Sequence, residues 1–147
     1  MLEISSEHIW LNQQFGSWQE AIQQIGEQLL EKGVIQKEYI DAMVARQEAA
    51  SVYIGNFVAL PHGKAKDEQI VEEGIFLFQV PDGVDFGIDE EKKVATILFA
   101  VIMRENQQLT SLQELAFFCS DVDQVMALSD AQTVEEIQQI LKQAEEF

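Results

Sequence analysis

The sequence predicts a single-domain α/β sandwich, and three features carry that reading. Segments with helical periodicity alternate with short apolar runs bounded by proline or glycine, without repeats, low-complexity tracts or an evident linker. The longest apolar run, Val94 to Met103, is interrupted only by Thr96, the pattern of a strand covered on both faces. A length of 147 residues suits one hydrophobic core, so one domain is expected over 1–147.

The elements follow in chain order. Ser17 and Glu20 have the spacing of a capping box, and Ile22, Ile25 and Leu29 recur on one helical face before Gly33. A second helix is predicted from about Lys37 to Ala49, with Tyr39, Ile40, Met43 and Val44 as its apolar stripe and Arg46 near its end. Asn56 to Leu60 reads as a strand stopped by Pro61, which opens the loop Pro61-His62-Gly63. Gly74 to Val80 is a strand closed by Pro81-Asp82-Gly83, where a tight turn predicts some antiparallel pairing before Val94 to Met103. Leu109, Leu112, Leu115, Ala116 and Phe118 define a further helix, and a short one is expected around Val122 to Leu128. Thr133 with Glu136 caps the last, which bears Ile137, Ile140 and Leu141.

Composition narrows the function. Hydrophobic residues at 47% and charged residues at 24% describe an ordinary globular chain. The net charge of −17 sets a field that repels nucleic-acid phosphates and anionic lipid, so neither nucleic acid nor a membrane surface is an expected partner. A basic protein surface suits that charge, although the acid also serves solubility alone. The run Val94 to Met103 is too short to span a bilayer, and the stretch Met1 to His8 carries no basic-apolar signal. Cys119 is the single cysteine, which excludes an intramolecular disulfide and makes a reducing cytoplasm the simplest location. Its place on an apolar helical face marks it as a buried, inert thiol.

Few residues are candidates for chemistry. His8 lies in a polar segment without proline or glycine framing and reads as an exposed side chain. His62 stands between Pro61, which fixes the approach of the chain, and Gly63, which lets a bulky group come close. Neutral imidazole is a good nucleophile towards phosphorus when one ring nitrogen is free and the other is held in a hydrogen bond. On local grounds a structural turn histidine and a reactive one both remain open. Arg46 offers a guanidinium able to grip phosphate oxygens bidentately, or simply a cation on its own helix C-terminus. No Walker A loop is present, since Gly63-Lys64 is followed by Ala65. The acidic group Asp82, Asp85, Asp89, Glu90 and Glu91 lacks the spacing of a calcium loop and reads as solvated; no metal is expected there.

The segment Gly55-Asn56-Phe57-Val58-Ala59-Leu60-Pro61-His62-Gly63 resembles the active-site segment of the fructose- and mannitol-type enzyme IIA domains of the bacterial phosphoenolpyruvate-dependent sugar phosphotransferase system. The similarity runs on through Ile9-Trp10-Leu11, Glu20-Ala21-Ile22, Tyr39-Ile40-Asp41-Ala42-Met43 and Gln79-Val80-Pro81-Asp82-Gly83-Val84 to the terminal helix. It implies a mixed sheet flanked by helices, no metal and no organic cofactor. It also implies that His62 accepts a phosphoryl group from the phosphocarrier HPr and passes it to the enzyme IIB of a permease. Arg46 falls where the family places a phosphate-binding arginine. Tyr53-Ile54-Gly55-Asn56-Phe57 looks closer to mannitol-type than to fructose-type members.

One position departs from the pattern. Mannitol-type members commonly carry a second histidine before a leucine-rich helix, in the pattern His-Leu-x-x-Leu-x-x-Leu. Here the match is Gln108-Leu109-Thr110-Ser111-Leu112-Gln113-Glu114-Leu115. Gln108 still donates a hydrogen bond, but it cannot become an imidazolium. The alternative to a transport relay is a regulatory sensor in which phosphorylated His62 controls binding to a regulator, an option that Gln108 favours and the absence of an attached regulatory domain disfavours.

Overall fold

The centre of the molecule is the antiparallel pair β4 (Gly74–Asp85) and β5 (Val94–Ile102), in a computed structural model whose described residues are 2–64 and 67–144. The short strands β1 (Ile9–Trp10), β2 (Tyr53–Gly55) and β3 (Val58–Ala59) complete a five-stranded sheet of order β1-β4-β5-β3-β2. β1 runs parallel to β4 and β3 parallel to β5, whereas β2 and β3 are antiparallel, so the sheet is mixed as expected.

Period-two alternation along β4 and β5 divides the interior into two cores. Phe76, Phe78 and Val80 with Leu98, Ala100 and Ile102 point to the side of α1 (Trp18–Glu31) and α2 (Glu38–Ala49). Leu77 with Ile97, Phe99 and Val101 points to the other side, under α3 (Glu105–Phe118), α4 (Val122–Asp130) and α5 (Val134–Ala144). The apolar run of β5, interrupted only by Thr96, is therefore the consequence of helices on both faces. Both capping boxes form: Ser17 Oγ accepts from Glu20 N at 3.1 Å and Thr133 Oγ1 from Glu136 N at 3.1 Å. In each, the glutamate reaches back one residue beyond the cap, to Gly16 N at 2.8 Å and Gln132 N at 3.1 Å.

Four local expectations change. Val80 to Gly83 is no turn but a bulge within β4, lying between the pairs Gln79↔Ile97 and Val84↔Ala95, with Gly83 at φ 79°. Proline without an amide donor and glycine with positive φ fit a bulge as well as a turn. The chain reverses after Asp85, whose Oδ1 accepts from Gly87 N at 2.8 Å and Lys93 N at 2.9 Å; this carboxylate of the acidic group thus organises its own loop.

Asn56 and Phe57, read as strand, are the two central residues of a hairpin turn at φ 50° and 67°, joining β2 to β3. Asn56 Nδ2 anchors that turn to Cys119 O at 3.0 Å. His8 is half-buried with its ring centroid 4.3 Å from that of Phe76, not an exposed side chain. Finally, α3 buries Leu115 but leaves Leu109 65% and Phe117 83% exposed, so its apolar residues do not form one inward face.

Candidate active site

The loop Pro61-His62-Gly63 leaves the carboxyl end of β3, where Pro61 O accepts from Val101 N of β5 at 2.9 Å. Proline here keeps its carbonyl in the sheet while its missing donor leaves no unpaired amide. His62 is 7% exposed, and its Nδ1 lies 2.7 Å from Leu60 O. A carbonyl can only accept, so Nδ1 carries the proton and Nε2 retains its lone pair. Burial pushes the His62 pKa below the ordinary 6.5; the Leu60 bond pulls it up and the Arg46 charge pushes it down again. The imidazole is accordingly neutral at pH 7, with a fixed tautomer and a free ring nitrogen.

α2 determines where that loop lies. Tyr39 is fully buried and its hydroxyl accepts from Gly63 N at 2.9 Å and contacts Gly63 O at 3.3 Å. Burial pushes the phenol up to about 12, so the hydroxyl keeps its proton for Gly63 O. Arg46 follows two turns later on the same helical face, half-buried beside His62. It donates to Ala50 O at the helix C-terminus and also lines the His62 pocket. The buried Gln47 ties the end of α2 to the sheet, donating to Phe86 O at 2.8 Å and accepting from Val52 N at 2.8 Å.

The pocket beside His62 is open and about 250 Å³ in volume, walled by α2 through Arg46 and by α3 through Leu112 and Gln113. Gln108 behaves differently from a pocket residue. Its Nε2 donates to Gly63 O at 2.8 Å, giving that carbonyl a donor from α3 as well as the Tyr39 hydroxyl from α2. The structure thus brings His62 and Arg46 to one pocket and places Gln108 on the loop behind them. Sequence reasoning counted Tyr39 as core by its spacing and gave no signal that Gln113 lines this pocket. Cys119 closes α3 as its C-cap, 2% exposed, with its thiol pushed up to about 12 by burial, consistent with an inert residue.

An expected result follows from the charge of Arg46. Replacing it by glutamine removes a cation that opposes imidazolium formation, so the His62 pKa rises towards 6.5. The acid limb of any reaction needing neutral His62 then moves to higher pH. NMR titration of the His62 ring protons, in parent and Arg46→Gln, measures that shift; an unchanged or lowered pKa would contradict it.

A family model described as "Phosphoenolpyruvate-dependent sugar phosphotransferase system, EIIA 2" matches residues 3–144. The chain belongs to this family, and it is a phosphotransferase component of that system. It is 44% identical over 138 residues, covering 93% of this chain and 95% of the relative, to the mannitol-specific phosphotransferase enzyme IIA component of Enterococcus faecalis. The crystal structure of IIA mannitol from Escherichia coli superposes with a TM-score of 0.86 at 30% identity, over 95% of this chain and 99% of that one. The enzyme IIA of the solution complex of mannitol enzymes IIA and phosphorylated IIB, also from Escherichia coli, gives 0.87 at 28% identity, over 97% and 99%. No helix among the described residues is long and apolar enough to cross a membrane.

Proposed function

We propose that this chain is the cytoplasmic enzyme IIA domain, over 1–147, of a mannitol-type phosphotransferase system, with His62 as phosphoryl acceptor. The observation that carries the reading is the 2.7 Å contact of His62 Nδ1 with Leu60 O, which leaves Nε2 as the nucleophile in a pocket shared with Arg46. In the first step Nε2 forms a bond to phosphorus as the N–P bond of phospho-HPr breaks, and the electron pair of that bond returns to the departing HPr imidazole. The His62 Nδ1 proton stays in its bond to Leu60 O, and that carbonyl dipole stabilises the cationic character that develops on the ring. Arg46 meets the charge on the moving oxygens, where preorganised donors have their largest effect. In the second step a nucleophile on enzyme IIB attacks the same phosphorus, and Nε2 departs with its lone pair restored.

Ile54, 42% exposed, lines the pocket, and α3, which forms one pocket wall, carries Leu109 at 65% exposure. A small apolar rim on an acidic protein suits brief encounters with two partners in succession. The test is a reconstituted relay of phosphoenolpyruvate, enzyme I, HPr, this protein and a mannitol-type enzyme IIB. The expected result is acid-labile, base-stable phosphate on this chain that is discharged when enzyme IIB is added. Phosphate retained in the presence of every sugar-permease enzyme IIB supplied would instead favour a sensor, and overturn the relay.

A further inference from the structure

The polar side chains lining the His62 pocket differ in what they already hold. His62 Nδ1 faces Leu60 O, and Ser51 Oγ donates to Phe86 O at 2.7 Å while accepting from Tyr53 N at 3.2 Å. Arg46 donates one of its guanidinium N–H groups to Ala50 O and keeps the rest of its fork. Gln113, on the α3 wall, is exposed, and its side chain has no hydrogen-bond partner among the described residues. Gln108 of the same helix is engaged on Gly63 O and lies outside the pocket lining.

Resting on the reading of His62 as phosphoryl acceptor, we propose that Gln113 is a further catalytic residue, whose side-chain amide donates a hydrogen bond to the phosphoryl group on His62 Nε2.

A phosphoryl group brings close to two negative charges and three strong acceptor oxygens into this pocket. Arg46 approaches from α2, and a planar guanidinium can serve at most two of those oxygens. An oxygen turned to the α3 wall would meet Gln113 as its side-chain donor there, because the other lining residues on that wall, Leu112 and Ala116, offer none. Gln113 is the polar side chain on that wall, with both amide N–H groups uncommitted. Neutrality suits it to the position. A second cation would push the His62 pKa further down and weaken the nucleophile, whereas an amide strengthens the phosphorylated state without that effect.

The equilibrium constant for phosphoryl exchange with HPr tests this directly. It depends only on the relative stability of phosphorylated and free protein, so a residue that merely assists docking cannot move it. In Gln113→Ala the constant is expected to shift about tenfold towards phospho-HPr, the size of one hydrogen bond to a charged group. Gln113→Glu, which replaces a donor by a negative charge, should shift it further the same way. The Gln113 side-chain amide resonance of the isotopically labelled parent should also move on phosphorylation. An unchanged exchange constant in Gln113→Ala, with or without slower transfer, would overturn the assignment. The underlying reading is judged separately, since phosphate uptake by a chain lacking the His62 imidazole would defeat it whatever Gln113 does.

Discussion

His62→Asn is expected to abolish phosphate uptake altogether while leaving the fold intact. Asparagine retains an amide donor near the position of Nδ1, so the bond to Leu60 O survives, but it has no ring nitrogen to attack phosphorus. Because the imidazole lies at an open pocket, water replaces the missing ring atoms and the stability cost stays within about 1 kcal/mol. Stability should also change its dependence on pH. In the parent, burial holds the folded pKa of His62 below the unfolded value of 6.5, so the unfolded chain binds more protons between the two values. The stability that neutral His62 contributes is therefore complete above 6.5 and is lost as pH falls through that window towards the folded pKa. Urea unfolding of parent and variant at a series of pH values should show curves that converge on acidification. Labelling of the asparagine variant by phospho-HPr would remove His62 from the mechanism.

The contrast between what the sequence disclosed and what it concealed follows the range of the interactions involved. Helix α1 was legible because Ser17, Glu20 and the stripe Ile22, Ile25, Leu29 all act within the element. β5 was legible because a strand covered on both faces is apolar along most of its length, here with Thr96 as the exception. Local framing left His62 and Arg46 open between structural and reactive roles; the resemblance of the surrounding segments singled them out, and neither residue alone implied that they would share a pocket. Tyr39 was hidden because its decisive contact spans 24 residues of sequence, and an aromatic at helical spacing looks like any other core residue. The β2–β3 hairpin was missed because Asn56-Phe57 lacks the glycine that announces a tight turn; Asn56 accepts positive φ through its anchoring to Cys119 O and Ser120 O. The exposure of Leu109 and Phe117 was equally hidden. Periodicity fixes which residues of α3 share a face, but not which face the sheet covers.

Gly63→Ala should combine the loss of site geometry with the loss of stability. A Cβ built on Gly63 would lie 2.9 Å from Ala42 Cβ and 3.0 Å from both Ala42 C and Met43 N. These are atoms of the α2 backbone or rigidly attached to it, so no rotamer change can relieve the clash. At Gly26 a Cβ would meet only the Ile40 side chain, at 2.6 Å for Cγ1, and an isoleucine is able to turn. For Gly63 either the loop must retreat from α2 or the helix must move as a body. Retreat stretches the Tyr39 hydroxyl contacts at 2.9 and 3.3 Å and strands a buried backbone N–H. Movement of the helix carries Arg46 with it. Either response separates the His62 imidazole from the guanidinium that shares its pocket, and displacements below 1 Å are enough to weaken a positioned phosphoryl transfer. Overpacking of this kind costs about 2 to 3 kcal/mol, so the variant should unfold at a clearly lower urea concentration. Its phosphoryl exchange with HPr should slow at least about tenfold even where it is fully folded. Full stability with a parental exchange rate would mean that α2 does not hold the loop. Lost stability with a parental rate in the folded fraction would mean that the Tyr39–Gly63 contact serves the fold alone.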